Sequence, residues 1–302
     1  MSVTKIDGRL LEEVSCNLLR LASIEMVPSW VKLIDKACER ERNTGARTRL
    51  KIMLESINIA KEERRPLCQD TGVPFYFVTL GGKSRVNADI AGALARGTKR
   101  ATKETPLREN VVHPLTSENP GTNVGWGIPY LFYDYRPNVN YIELTAVPRG
   151  GGADLPQTTV RIPSTGPRLE HIKKGILQVA MESRWACPPH VYGICVGGGV
   201  GIANHVALKT VFRLPTGTSN PDPVAGKLER EMLEAINDLG IGPMALGGDT
   251  TALAVQLEIV GAHTAVPALV VAPSCWTSGR FATARIHNDR SVEIVTHINS
   301  EI

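Results

Sequence analysis

The sequence predicts an α+β protein with a mixed sheet. Three observations carry this. The first 65 residues read as helices. After them, strand-like and helical segments mix. Their order gives no clean strand–helix alternation of the kind a doubly wound parallel sheet needs. A length of 302 residues allows one large domain or two modest ones, and 42% hydrophobic residues can form a sizeable core. Aromatics make up only 5%, so that core is mostly aliphatic.

In the N-terminal region, Leu10, Leu11, Val14, Leu18, Leu19 and Leu21 mark one apolar helical face. Pro28 and Ser29 suit the start of a second helix. A third is expected across 47–61. Beyond residue 65, the segments 73–80, 141–147, 191–197 and 267–273 read as strands. Helical patterns are read at about 84–104, 168–184, 203–213, 222–239 and 249–260. Glycine- and proline-rich stretches mark loops at 118–123, 148–156, 164–167, 214–223 and 239–243. With no long linker and no repeat, one domain over 1–302 is expected, helical to about 65 and mixed from 66 on.

A net charge of +4 is small for this length and calls for neither nucleic acid nor an anionic membrane, while it suits a small anionic substrate. The N-terminus lacks a signal-peptide apolar region, and no apolar run reaches the roughly 20 residues of a membrane span. A cytoplasmic location is expected.

Six cysteines occur with no CxxC pair, so disulfides are not expected. Cys68 in CQDTG, Cys187 in ACPPH and Cys275 in SCW lie at element boundaries, where a side chain can face a cleft. Cys16 and Cys195 sit within a helix and a strand pattern and read as packing residues, and Cys38 has no clear place. Three thiolates brought together by folding suit an iron–sulfur cluster or zinc, and their spacing matches no local metal motif. The glycine run in GICVGGGVGIANHVALK (193–209) suits either a tight strand-to-helix turn or a phosphate loop, but fits neither common nucleotide motif. Asp70 suits a cap or turn, Arg108 a carboxylate fork or a solvated charge, and His263 a structural position.

Taken in order, CQDTG, TPLREN, NPGTN, RGGG, ACPP, LGIGPMALGGDTTALAV and the final CW resemble the alpha part of the class I iron–sulfur-dependent hydro-lyases, the family of class I fumarate hydratases and L(+)-tartrate dehydratases. The likeness runs from about residue 50 to 290. It implies that Cys68, Cys187 and Cys275 hold a 4Fe–4S cluster with one iron open to substrate. It implies that Gln69 and Asp70 line the substrate pocket, that Arg108 grips a carboxylate, that Gly151 contacts substrate through its backbone, and that His263 stands on the hydroxyl side. Asp70 and His263 are the implied catalytic residues. The cofactor would act as a Lewis acid in dehydrating a C4 2-hydroxy dicarboxylate. Because the chain stops soon after SCW, the resemblance implies a separate beta subunit as partner.

Fumarate hydratase is the first expectation for substrate, with L(+)-tartrate dehydratase as the alternative. The family's fumarases usually carry lysine where Asp249 stands, GGGSEN where this chain has GGGADLP, and arginine where Gly279 stands. GGGADLP and NVGWGIPYL lean toward tartrate, and LGIGPMALGGDTTALAV toward fumarate. A cluster-bearing regulatory subunit without catalysis, and a nucleotide-binding protein using the GGGVG loop, are expectations of other classes.

Overall fold

The computed structural model describes residues 5–163, 165–265 and 267–297. It is mixed α+β, with eight helices, nine strands and two mixed sheets among the described residues. The chain forms two compact units, one of residues 5–28, 57–151 and 280–297, the other of 29–56 and 152–279. The three N-terminal helices are α1 (Gly8–Ile24), α2 (Pro28–Arg40) and α3 (Thr44–Glu62). The first unit takes α1 and the second takes most of α2 and α3, so the N-terminal region is no separate layer.

In the first unit, β1 (Val73–Gly81), β2 (Tyr130–Arg136), β3 (Tyr141–Arg149), β8 (Ala282–His287) and β9 (Val292–Ile294) form a sheet ordered β2-β1-β3-β8-β9. Only β1 and β2 run parallel. Helices α1 and α4 (Ile90–Glu104) share one core with this sheet, in which Leu11, Leu18, Leu94 and Ala101 meet Tyr76, Val78, Leu144 and Ile286. Both helices start on an aspartate cap. Asp7 accepts from the Leu10 N–H at 2.9 Å and Asp89 from the Gly92 N–H at 3.0 Å. The helical pattern expected from residue 84 therefore begins only at Ile90.

The second unit carries a four-stranded sheet ordered β4-β7-β5-β6, from β4 (Thr158–Val160), β5 (His190–Gly197), β6 (Ala252–Val260) and β7 (Leu269–Ala272). Strands β5 and β6 are parallel, and β7 is antiparallel to both of its neighbours. Helices α6 (Arg168–Glu182) and α8 (Pro223–Asn237) bring Ile176, Val179, Met232 and Ile236 onto Tyr192, Ile194, Val255 and Val271. α7 (Val200–Val211) follows β5 directly, and the four-residue turn α5 (Gly151–Asp154) precedes β4.

The expected helix at 249–260 is a strand, β6. Residues 252–257 are buried without alternation. A strand covered on both faces reads as an unbroken apolar run, which periodicity cannot tell from a buried helix. Strands β2, β4, β8 and β9 are further departures from the sequence expectation. No described helix is long and apolar enough to cross a membrane.

Candidate functional site

In the first unit the motifs meet because of strand register. β1 and β3 are antiparallel with Val73 opposite Arg149. The segment just before β1, CQDTG, therefore emerges beside the segment just after β3, RGGG. Asp70 Oδ2 accepts the Gly151 N–H at 2.8 Å. Its Oδ1 accepts the Gly72 N–H and the Asn110 side-chain amide, each at 3.1 Å. Gly72 has φ +86, and a Cβ there would lie 2.5 Å from the Pro148 carbonyl carbon, so only glycine lets the two segments close. Strand β8 begins opposite Ala146, at the same end, and Arg280, 2% exposed, donates from Nη2 to the Asp70 carbonyl at 3.2 Å.

Arg108 joins this cluster through its backbone, its N–H donating to Thr71 Oγ1 at 2.9 Å. Its side chain is exposed, as is Gln69. The Arg108–Val111 segment is held from beneath by Asn123, the last residue of NPGTN and 1% exposed. Asn123 Oδ1 accepts from the backbone N–H of Asn110 at 2.8 Å and of Val111 at 3.3 Å, and Nδ2 donates to the Arg108 carbonyl at 3.0 Å. Sequence reasoning noticed the NPGTN stretch but not the supporting parts of Asn110, Asn123 and Arg280. A short polar loop gives no sign of which side chains turn inward. Cys68 sits half-buried one residue after Leu67, whose N–H is anchored on the Ser23 carbonyl at 3.1 Å.

In the second unit, three motifs gather at one end of the sheet. β5 and β7 are antiparallel with Gly193 opposite Ala272, so ACPPH enters β5 where SCW leaves β7. The Trp276 N–H donates to the Cys187 carbonyl at 3.0 Å. The LGIGPMALGGDTT segment is tied there too, by Met244 N–H to the Pro188 carbonyl at 2.8 Å and His190 N–H to the Thr251 carbonyl at 3.0 Å. Cys275 has the Thr277 and Ser278 hydroxyls at 3.1 and 3.3 Å from its sulfur, placed to donate to a thiolate.

Asp249 forms a two-pronged pair with Arg42, at 2.8 and 3.0 Å. The Arg42 hydrogen bonds hold its carboxyl below the usual range. Beneath it, the buried Glu41 carboxylate accepts the N–H groups of Asp249 and Thr250 at 3.0 Å. Gly279 closes a 3₁₀ turn (Trp276–Gly279).

His263 lies apart from Cys187 and Cys275. It follows β6, whose last residue Val260 pairs with Gly197 at the far end of β5. Eight residues of strand, about 25 Å at ~3.3 Å each, separate that end of the sheet from the cysteine loops. The GGGVG loop is at this far end as well. A Cβ on Gly197 would fall 1.7 Å from the Val260 carbonyl oxygen, and the Gly198 N–H donates to the Gly261 carbonyl at 3.0 Å. These glycines serve a tight strand-to-helix turn.

None of the six cysteines is paired in a disulfide, and they divide by exposure. Cys16, Cys38 and Cys195 are buried, Cys68 and Cys275 half-buried, and Cys187 exposed. Burial pushes the Cys195 thiol up to about 11 and raises Cys16, which keeps these two protonated and poor as ligands. The accessible thiols are Cys68 in the first unit and Cys187 and Cys275 in the second. Among the described residues of either unit taken alone, no three His, Cys, Asp or Glu side chains stand close enough to hold a metal ion. In the chemistry of its donors, the accessible set fits an iron–sulfur group with thiolate ligands.

A sequence profile described as Fumarate hydratase (Fumerase) matches residues 12–284. The chain is thus an enzyme of the hydro-lyase class. It is 38% identical over 286 residues to a Methanocaldococcus jannaschii protein named "Putative L(+)-tartrate dehydratase subunit alpha", covering 92% of this chain and 98% of that one. It is 29% identical over 295 residues to proteins of Escherichia coli strain K12 and Shigella sonnei named L(+)-tartrate dehydratase subunit alpha, covering 97% of this chain and 96% of each. The chain belongs to the fumarate hydratase (Fumerase) family, whose class I members are iron–sulfur dependent.

Proposed function

We propose that this chain is the alpha subunit of an L(+)-tartrate dehydratase, working with a separate beta subunit. The observation that carries this is the near end-to-end correspondence with relatives bearing that name. It favours the alternative over fumarate hydratase, which the sequence motifs had put first.

The reaction removes water from a 2-hydroxy dicarboxylate. A C–H bond breaks at one carbinol carbon and a C–O bond at its neighbour, and the enol formed rearranges to oxaloacetate. We assign Cys68, Cys187 and Cys275 to hold a 4Fe–4S cluster, which when bound would supply a Lewis acid for the departing oxygen. Arg108, exposed and anchored by its backbone, orients a substrate carboxylate and offsets its charge. Gln69 offers an amide to a substrate hydroxyl. Asp70 is held by three donors, so its carboxylate presents a fixed proton acceptor beside Gly151. Gly151 completes that wall, with its N–H engaged by Asp70. His263, which the resemblance puts on the hydroxyl side, follows β6 at the other end of its sheet from Cys187 and Cys275 and takes no part in this reading.

The test is to co-express the chain anaerobically with its beta partner and measure kcat/KM on L-tartrate and on malate. Iron and sulfide are assayed in Cys68→Ser, Cys187→Ser, Cys275→Ser and Cys195→Ala. Higher kcat/KM on L-tartrate, with iron lost in the three serine variants and kept in Cys195→Ala, is expected. Faster turnover of malate sinks the substrate assignment. Iron indifferent to the three cysteines sinks the cluster assignment. Asp70→Asn should lower kcat at least ~100-fold with the iron content unchanged.

A further inference from the structure

The two cysteine segments of the second unit are joined by more than sheet pairing. Beyond the last ladder pair of β5 and β7, three hydrogen bonds run from one segment to the other. The Trp276 N–H donates to the Cys187 carbonyl at 3.0 Å. The Val191 N–H donates to Ser274 Oγ at 2.8 Å. His190 Nδ1 is hydrogen-bonded to the Ser274 carbonyl oxygen.

His190 and Ser274 are both 0% exposed. The His190 ring lies edge-on to Tyr192 with centroids 5.3 Å apart, and burial pushes its pKa down to about 4. The ring is therefore neutral, and because Nδ1 faces a carbonyl, Nδ1 carries the proton. An aromatic hydrocarbon would fill the same space beside Tyr192. It would leave the Ser274 carbonyl, one residue from Cys275, without this donor. A buried imidazole is costly as packing, and what it gains here is a fixed distance between two chain segments.

We propose that His190 and Ser274 are positioning residues that clip the Cys187 and Cys275 segments together, so that both thiols are set in place before a metal group arrives. The clip rests on the assignment of these two cysteines as ligands. Its logic is that a ligand whose backbone is already fixed loses less freedom on binding, and that groups supporting ligands change affinity ~10–100-fold.

Three variants of the full-length chain test it. His190→Asn keeps an N–H donor near the Nδ1 position. His190→Phe keeps the volume and loses the donor. Ser274→Ala removes the acceptor for Val191, and carries the same expectation should the phenylalanine variant fail to fold. Two readouts are taken under anaerobic conditions: amide hydrogen exchange of the metal-free chain, and the rate at which EDTA removes iron from the loaded chain, followed by visible absorbance. Exchange at 186–191 and 274–278 is expected to rise in His190→Phe while 193–196 and 252–257 stay protected. Iron loss is expected to quicken ~10-fold or more, and His190→Asn to restore both.

Unchanged exchange at 274–278 in His190→Phe overturns the clip. So does loosening spread equally over the sheet, or iron loss as fast in His190→Asn as in His190→Phe. A wild-type chain that takes up no iron overturns the cluster assignment instead, and the exchange readout still decides the clip.

Discussion

Asn123 is the residue whose loss should most clearly expose how the Arg108 segment is supported. Its side chain bonds the Asn110 N–H, the Val111 N–H and the Arg108 carbonyl, and Nδ2 also reaches Thr102 Oγ1 at 3.3 Å. Truncation to alanine leaves the buried Val111 N–H and the half-buried Asn110 N–H without an acceptor, at about 1–3 kcal/mol each. Asn123 also has φ +53, a left-handed conformation that asparagine tolerates and that costs alanine ~1 kcal/mol more. Together these give about 3–7 kcal/mol of destabilisation for Asn123→Ala. Asn123→Gly loses the same hydrogen bonds without the backbone strain and should be ~1 kcal/mol less destabilised than alanine. Urea unfolding followed by circular dichroism measures both. In the assembled enzyme, the looser Arg108 segment should raise KM for L-tartrate. An alanine variant within ~1 kcal/mol of wild type, or a glycine variant less stable than alanine, would refute the reasoning.

Other expectations follow from the same geometry. Gly72→Ala should cost about 3 kcal/mol or more, since it combines a disfavoured φ of +86 with a 2.5 Å approach to the Pro148 carbonyl carbon; the urea midpoint checks it. Glu41→Ala should cost about 3 kcal/mol or more, because the Asn43, Asp249 and Thr250 N–H groups lose their acceptor. The same loss should speed amide exchange over 246–251. His297 is buried, which pushes its pKa down to about 4 from the ordinary 6.5. A depressed folded value means its contribution is complete above pH 6.5. Stability should then fall as pH drops from 6.5 towards 4, by at most ~1.4 kcal/mol per pH unit. Unfolding at several pH values should show a shallower slope in His297→Gln than in wild type.

Some of this was legible in the sequence for plain reasons. The leucine spacing of α1 is a local signal and that helix stands where it points, whereas the Asp89 cap went unread and α4 starts six residues later than its pattern suggested. Placement of the cysteines at element boundaries rather than inside them also followed from local pattern, and Cys68, Cys187 and Cys275 are the thiols that escape burial. β6 was read as a helix because burial on both faces erases the alternation that marks a strand. The glycines of GGGVG left a tight turn and a phosphate loop both open, because a run of small residues looks alike whether it faces a ligand or the end of a neighbouring strand, and the structure has the turn.

By itself, the sequence determined the inventory. It holds three thiols in loops, an aspartate in CQDTG, an arginine in TPLREN, and motifs whose order marks the family. Tertiary structure decided which of these meet. The β1–β3 register put Asp70 on the Gly151 N–H, and the β5–β7 register set ACPPH beside SCW. Asp249 met Arg42 across most of the chain's length, and His263 was carried to the other end of its sheet from Cys187 and Cys275. Side-chain periodicity is a property of neighbouring residues. Register is set by pairing between strands far apart in the chain, so no local window of sequence contains it.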